Sequence, residues 1–462
     1  MTAHIFREYD IRGVAERDLT SPLVESMGRH LASLLSRAEG GRPRIAVGRD
    51  CRVSGPRIVE ALTRGLVACG AHVVDVGVGP TPLLYFAVHH TDADGGIMVT
   101  GSHNPGDENG LKIMRGKASF YGADIQALRE RVAAGDPPAP AAGPGRAESE
   151  AVEEAYLARL AASAGLPGGP FSLVVDGGNG AAGPLALRAL GALGLDPVAL
   201  YCEMDGTFPN HHPDPTVPEN LRVLSETVRR VGARVGIAFD GDGDRLGVVD
   251  ADGEAIWGDR LLALFARDVL RDRPGATVIG EVKCSSALFE DVRRHGGRAV
   301  MWKTGHSLIK TKMKEEGALL AGEMSGHFFF ADRYLGFDDG IYAALRVVEI
   351  LSREGKTVGE LLRDLPRGIS TPEIRVACPD AIKGAVVAAV RDHFRDRREI
   401  IEIDGVRVCY PDGAWGLVRA SNTGPLLVLR FEAGTDARLA EVRAEVEAVL
   451  GQARAGLEHP AG

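Results

Sequence analysis

Three times along this chain a short apolar run ends abruptly in a polar loop rich in small residues. Gly96-Ile97-Met98-Val99 leads into Thr100-Gly101-Ser102-His103-Asn104-Pro105. Val235-Gly236-Ile237-Ala238-Phe239 leads into Asp240-Gly241-Asp242-Gly243-Asp244-Arg245. Ala318-Leu319-Leu320-Ala321 leads into Gly322-Glu323-Met324-Ser325-Gly326-His327. Apolar runs of this length read as buried strands, and Gly, Asn and Pro then force a loop. Helical patterns lie between strands. Pro22 to Ser36 carries Leu23, Met27, Leu31 and Leu34 on one stripe, and Pro56 to Cys69 follows strand Arg44 to Val47 and precedes strand His72 to Val76. This alternation predicts largely parallel, helix-covered sheets with ligand sites outside the strand C-termini, where the polar loops fall.

Each loop has a chemistry. A serine at the exit of a buried strand is held by rigid backbone yet faces solvent, which suits a nucleophile or a phosphate carrier; the bland alternative is a Ser/Asn turn. Three aspartates on alternate residues repel, and a hard divalent cation relieves that repulsion, with the glycines letting the chain curl until the carboxylates converge. The alternative is a solvated acidic turn. An EF-hand is excluded, because that loop needs Gly where Arg245 stands and Glu where Ala251 stands. Glu323 and Ser325 flank a small-residue turn and suit vicinal sugar hydroxyls. Arg419-Ala420-Ser421-Asn422-Thr423-Gly424-Pro425 offers an Arg fork, hydroxyls and an amide to a tetrahedral phosphate, or is a polar hairpin. A rival motif is Gly178-Asn179-Gly180-Ala181-Ala182-Gly183, a G-x-G-x-x-G after strand Phe171 to Asp176, with Glu203 placed as a ribose-binding carboxylate. A dinucleotide reading explains neither the serine loop nor the aspartates, and the turn reads equally as a tight strand-to-helix connection with Pro184 in the first helical turn.

Length and charge set the bounds. A chain of 462 residues is too long for one ordinary domain. A net charge of -9 argues against nucleic acid as a partner. The six cysteines form no C-x-x-C pair and read as free buried thiols of a reducing compartment. The first residues have no signal-peptide core and no run approaches the ~18 apolar residues of a membrane span, so a soluble, cytoplasmic protein is expected. Residues 134–145 read as a Pro/Ala/Gly-rich connection, followed by a helix from Glu148 to Ala164. The expected divisions are 1–150, 151–254, 255–367 and 368–462. The loop from Phe208 to Pro218 has no assigned role, and the helix from Asp436 to Arg454 reads as packing.

Taken in order, Thr-Gly-Ser-His-Asn-Pro, Asp-Gly-Asp-Gly-Asp-Arg, Gly-Glu-Met-Ser-Gly-His and Arg-Ala-Ser-Asn-Thr resemble the α-D-phosphohexomutases, most closely the bifunctional phosphomannomutase/phosphoglucomutase group. The opening Phe6-Arg7-Glu8-Tyr9-Asp10-Ile11-Arg12-Gly13 resembles that family's first segment. The resemblance implies an α/β fold of three similar mixed-sheet domains plus a smaller C-terminal α+β domain around a central cleft. It implies that Ser102 carries a phosphoryl group, that Asp240, Asp242 and Asp244 hold Mg²⁺ beside it with Ser102 as a further ligand, and that Tyr9, Arg12 and Lys112 line the site. His103 either assists Ser102 or caps its loop. Glu323 and Ser325 would bind ring hydroxyls. His327 is a candidate acid/base, with Lys283 and His306 nearby. Arg419, Ser421, Asn422 and Thr423 would hold a phosphate, and Arg245 and Arg430 join the substrate-binding set. The implied reaction interconverts hexose 1-phosphate and hexose 6-phosphate, of mannose or glucose, through a 1,6-bisphosphate. A phosphoglucosamine mutase, a metal-dependent phosphatase and an NAD-binding oxidoreductase are the alternatives. The partners would be small hexose phosphates, with a monomer or small homo-oligomer expected.

Overall fold

The computed structural model describes residues 3–36, 41–137, 143–165, 170–422 and 424–458. Their strands form four sheets. In the first, Arg44–Arg49 lies between His72–Val78 and Gly95–Val99, parallel to both, and Glu108–Arg115 returns antiparallel to Gly95–Val99 and to Ile11–Val14. In the second, Val235–Phe239 runs parallel to Leu173–Asp176 and pairs antiparallel with Leu246–Asp250. In the third, Leu320–Gly322 runs parallel to Thr277–Glu281 and pairs antiparallel with Phe328–Phe330.

The sheets are therefore mixed, as the family resemblance implies, rather than largely parallel as the alternation alone predicts, and the reason is common to all three. A parallel return needs a crossover of about a dozen residues or more. The links after Val99, Phe239 and Gly322 are too short for one, so each chain turns back on itself. Each polar loop is thus the tip joining a buried parallel strand to its antiparallel return. Gly95–Val99 and Val235–Phe239 are buried at every position, which fixes the tips rigidly.

Helices cover the sheets. Ser21–Leu34 packs on Gly55–Ala68, and the almost wholly buried Gly340–Glu354 sits among the second and third sheets. One hydrophobic cluster runs through the first three sheets, from Leu84 and Tyr156 through Phe239 and Phe265 to Leu345. The fourth sheet is antiparallel and has its own core, with Phe394, Leu427, Phe431, Val442 and Val446. Among the described residues, the small apolar cluster Val282, Trp415 and Leu417 lies between the fourth and third regions. A unit with a separate core and a small apolar seam is one that can move as a body.

Several expectations change. Arg146–Ser149 is a strand beside His72–Val78, and the helix begins only at Glu153 and ends at Ser163. All four residues of that strand are exposed, so no apolar alternation marks it. The core of the Pro/Ala/Gly-rich connection, 138–142, lies outside the described residues. The G-x-G-x-x-G turn packs against Cys202 and Pro213: a Cβ on Gly178 would meet Pro213 Cβ at 3.0 Å, and one on Gly183 would meet the Cys202 carbonyl oxygen at 2.4 Å. The backbone face that would receive a pyrophosphate is filled by the chain itself. The terminal helix extends from Asp436 to Glu458. None of the six cysteines is in a disulfide, but Cys51, Cys69 and Cys409 are half-buried rather than buried. Among the described residues no helix is long and apolar enough to cross a membrane.

Candidate active site

The serine loop is held from beneath by a pair the sequence patterns do not flag. Arg52 is buried and donates to the carbonyl oxygens of Ser102 (2.7 Å), Asn104 (2.6 Å), Pro105 (2.5 Å) and Glu108 (2.8 Å). Asp50 accepts from Thr100 Oγ1 at 2.6 Å, and that oxygen accepts from the Ser102 N–H at 2.8 Å. Gly101 is needed here, because a Cβ would sit 2.5 Å from the Arg52 guanidinium carbon. Ser102 itself has φ +49°, a region that non-glycine residues occupy at a cost of order 1 kcal/mol or more. The only sequence signal for the pair is its place at the exit of Arg44–Arg49.

Ser102 Oγ donates to Asp240 Oδ2 at 2.7 Å and lies 3.1 Å from His103 Nδ1. Burial pushes the His103 imidazole well below its ordinary pKa, with Arg245 and Arg12 adding to it, so the ring is neutral. Arg12 is fixed by Asp10 (2.7 Å) and by Asn104 Oδ1 of the serine loop (2.7 Å).

Asp240, Asp242 and Asp244 are fully buried, and their carboxylate oxygens converge within 4.8 Å. Lys112 Nζ donates to Asp242 Oδ2 at 2.6 Å and Asp244 Oδ2 at 2.5 Å, and Thr81 Oγ1 donates to Asp242 Oδ2 at 2.5 Å. The Oδ1 atoms of Asp242 and Asp244 are buried with no hydrogen-bond partner. Buried carboxylate oxygens left without a partner are costly, and a hard divalent cation is the ligand their chemistry fits. Burial, with Asp242 and Asp244 adjacent, raises the Asp240 carboxyl well above the usual range. Burial acts in the same sense on Asp242, but Lys112 together with hydrogen bonds from Thr81 and Ser102 holds that carboxyl low. Burial would lower Lys112, yet Asp242 and Asp244 overcome it and keep the ammonium charged.

The aspartate loop and the sugar-type loop are zipped together. Arg245 and His327 pair across an antiparallel bridge, and the Leu246 N–H donates to the Gly326 carbonyl at 2.9 Å. Arg245 Nε donates to His327 Nε2 at 3.0 Å, while His327 Nδ1 lies 3.0 Å from Asp338 Oδ2. The Arg245 donor takes the lone pair of Nε2, which places the proton of a neutral ring on Nδ1. His306 stacks on His327 with ring centres 5.6 Å apart, and Lys310 Nζ donates to Asp338 Oδ1 at 3.0 Å. Asp338 and Lys310 are further members of the site that no motif marks. Glu323 accepts from the Gly305 N–H (2.8 Å) and from Ser325 Oγ (3.0 Å).

Across the cleft, Lys283 Nζ donates to Glu373 at 3.1 Å. Tyr9 Oη donates to the Thr304 carbonyl at 2.8 Å and accepts from Asn422 Nδ2. Arg419 Nε donates to Asp404 Oδ2 at 2.9 Å, and Lys383 Nζ holds the Ser421 carbonyl at 2.6 Å. Thr423 lies outside the described residues. Thus Tyr9, Arg12, Ser102, His103, Lys112, the aspartates, Arg245, Lys283, His306, Glu323, Ser325, His327, Arg419, Ser421 and Asn422 gather around one cleft, with Arg12, Lys112 and Arg419 on strands, His306 at a helix start and the rest on loops. Arg430 stands apart. It is buried against Lys283 O, with Ser370 Oγ at 3.3 Å and Asp259 Oδ2 at 3.6 Å, in the seam between the third and fourth regions.

Four family models match the chain in order. Three describe the alpha/beta/alpha domains I, II and III of phosphoglucomutase/phosphomannomutase, over residues 3–138, 154–253 and 257–368, and the fourth describes the C-terminal domain, over 373–449. A phosphomannomutase/phosphoglucomutase of Pseudomonas aeruginosa is 50% identical over 445 residues, 96% of this chain and 94% of that protein. A phosphoglucomutase of Neisseria gonorrhoeae is 46% identical over 453 residues, covering 97% of each. The crystal structure of a phosphoglucomutase/phosphomannomutase family protein from Burkholderia thailandensis superposes with a TM-score of 0.91 at 46% identity, covering 99% of each chain. With four matching models, in order, on a chain whose three loop tips converge on one cleft, this protein belongs to the phosphoglucomutase/phosphomannomutase family.

Proposed function

We propose that this chain is a phosphohexomutase that carries a phosphoryl group on Ser102 and interconverts the 1- and 6-phosphates of glucose and mannose through a hexose 1,6-bisphosphate. The observation that carries this reading is the 2.7 Å contact between Ser102 Oγ and Asp240, beside the two orphaned carboxylate oxygens. The residues divide as 1–150, 151–254, 255–367 and 368–462, each contributing one loop to the cleft.

Asp240, Asp242 and Asp244 would hold Mg²⁺, which when bound offsets charge on the phosphoryl oxygens and the leaving serine oxygen. Arg52 and Asp50 hold Ser102 in place without touching substrate. Lys112 and Arg12 present fixed positive charge where the phosphoryl group moves. The phosphate already on the sugar is gripped by Arg419, Ser421, Asn422 and Thr423, and Glu323 and Ser325 hold ring hydroxyls. His327 is the base for the attacking hydroxyl once Arg245, which here donates to its Nε2 at 3.0 Å, turns to the substrate phosphoryl group. That hydroxyl takes the phosphoryl group from Ser102, giving the bisphosphate. The bisphosphate turns end for end, its other phosphate goes to Ser102, and the product leaves. Water must stay out while Ser102 is phosphorylated, and the fourth region, with its own core and small apolar seam, is the element that closes.

The test is a coupled assay on glucose, mannose and glucosamine 1-phosphates, with and without hexose 1,6-bisphosphate, together with a measurement of released inorganic phosphate. Interconversion that is stimulated by bisphosphate and releases little phosphate is expected. Stoichiometric phosphate release without isomerisation would make the protein a phosphatase.

A further inference from the structure

The fourth region meets the rest of the molecule along two seams of different strength, and a single hairpin supplies a residue to each. The hairpin joins Glu399–Ile401 to Val406–Cys409. On its inner side Arg407 is buried and stacked on Trp415 at 3.7 Å, and donates to Val282 O (2.7 Å), Cys284 O (2.8 Å) and Ser286 Oγ (2.8 Å). Arg430 on Lys283 O, and Glu432 accepting from Ser285 Oγ at 3.0 Å, complete this seam. Arg407, Trp415 and Arg430 are buried at its centre.

The second seam, toward the cleft, is thinner. Three residues before Arg407, Asp404 Oδ2 accepts from the Thr304 N–H at 3.1 Å and from Arg419 Nε at 2.9 Å. The carbonyl of the same residue, Thr304, accepts from Tyr9 Oη, which Asn422 also contacts. Gly405 makes the close approach possible: its φ is +78°, and a Cβ there would meet the Val418 carbonyl oxygen at 2.4 Å and Arg419 Cα at 2.7 Å.

We propose that Asp404 is a positioning residue that couples phosphate capture to closure of the fourth domain. Its one oxygen orients the Arg419 fork by holding Nε, and docks the domain on the Thr304 peptide at the mouth of the cleft. The Arg407/Trp415 seam is the pivot about which this contact is made and broken. Asp404 and Arg419 lie in the same domain, so Asp404 holds the Arg419 fork before closure, and closure adds the Thr304 N–H to the same oxygen; a sugar captured through its phosphate is thereby carried to the docked, enclosed position. The proposal rests on the mutase reading above and adds to it a residue that touches neither sugar nor phosphoryl group.

The experiment uses the full chain and the variants D404N and D404A, each first checked for wild-type melting. Hydrogen exchange of the peptide containing the Thr304 amide, measured without substrate, should rise in D404A, with D404N between it and wild type. In steady state the KM for glucose 1-phosphate should rise about tenfold in D404A, the scale of one charge-assisted hydrogen bond, with a smaller change in kcat. D404N keeps the shape and an acceptor, so it serves if D404A fails to fold. Unchanged exchange and a KM within twofold of wild type in a folded variant would overturn the proposal. Because exchange needs no turnover, a wild-type protein without mutase activity would sink the functional reading while the exchange result still decided the role of Asp404.

Discussion

Lys112 Nζ sits between Asp242 Oδ2 (2.6 Å) and Asp244 Oδ2 (2.5 Å), on the two carboxylates whose other oxygens are buried without a hydrogen-bond partner. The ammonium holds one oxygen of each acid, and a divalent cation bound there would take the other. Replacing Lys112 with Met removes a fixed charge from the transferring group and a competitor from the carboxylates. We expect kcat to fall by about 10² or more, the usual scale for a preorganised charge, while the Mg²⁺ concentration for half-maximal activity drops. A magnesium titration of both proteins checks this; a variant needing more Mg²⁺ would contradict it.

The aspartate cluster also makes a stability prediction. A cation that binds only the folded chain stabilises it by mass action, by about 2.7 kcal/mol at a hundred times its dissociation constant. Melting of the wild type should rise with added Mg²⁺ and fall back with a chelator. Asp242→Asn should lose most of that increment. An equal Mg²⁺ response in the variant would remove Asp242 from the ligand set.

Arg52 ties four backbone carbonyls of the serine loop together from a fully buried position. Arg52→Ala takes the guanidinium from those carbonyls and the counter-charge from Asp50, which should cost about 3–5 kcal/mol, the range for breaking a buried charged network. Arg52→Lys keeps the charge but not the fork, and should recover only part. Hydrogen exchange across residues 100–108 should rise in step with the loss of kcat. A variant with wild-type exchange there would show that the loop is held by something else.

His89 makes a prediction about pH. It packs on Phe337, and burial pushes its pKa down to about 4, with Lys117 and Lys310 adding to the effect. The unfolded chain takes up that proton near pH ~6.5, whereas the folded chain resists until about 4. The contribution of neutral His89 is therefore intact above ~6.5 and is lost as the pH falls toward 4. His89→Gln should show a smaller drop in melting temperature between pH 7 and pH 5 than the wild type. An identical drop would mean His89 is not titrating against the fold.

The chemistry of this chain was legible in its sequence because each motif sits at the tip of a strand, and a tip is local. Ser102, the aspartates and Glu323 each needed only their neighbours to be placed at a strand exit. The antiparallel returns were less visible, although the short links after Val99, Phe239 and Gly322 carry the reason for them. Residues whose partners are distant in the chain gave no sign. Arg52 acts on carbonyls fifty or more residues away, and Asp404 meets Thr304 across a separation of 100. Asp338 looks like one half of an acidic pair until His327 and Lys310 are packed against it. Arg419 and Arg430 are both strand arginines of the same sheet, and only tertiary packing puts one at the cleft and the other in the seam. Arg146–Ser149 is an exposed edge strand with no apolar pattern to read.

The central claim is that Ser102 carries the phosphoryl group, and mass spectrometry of the peptide containing it after incubation with glucose 1,6-bisphosphate and Mg²⁺ is the most direct test. One phosphoryl group on Ser102, removed by adding a hexose monophosphate with formation of the bisphosphate, is the result expected, with none on Ser102→Ala and no turnover by that variant. Label on another residue, or interconversion by Ser102→Ala at near the wild-type rate, would contradict it.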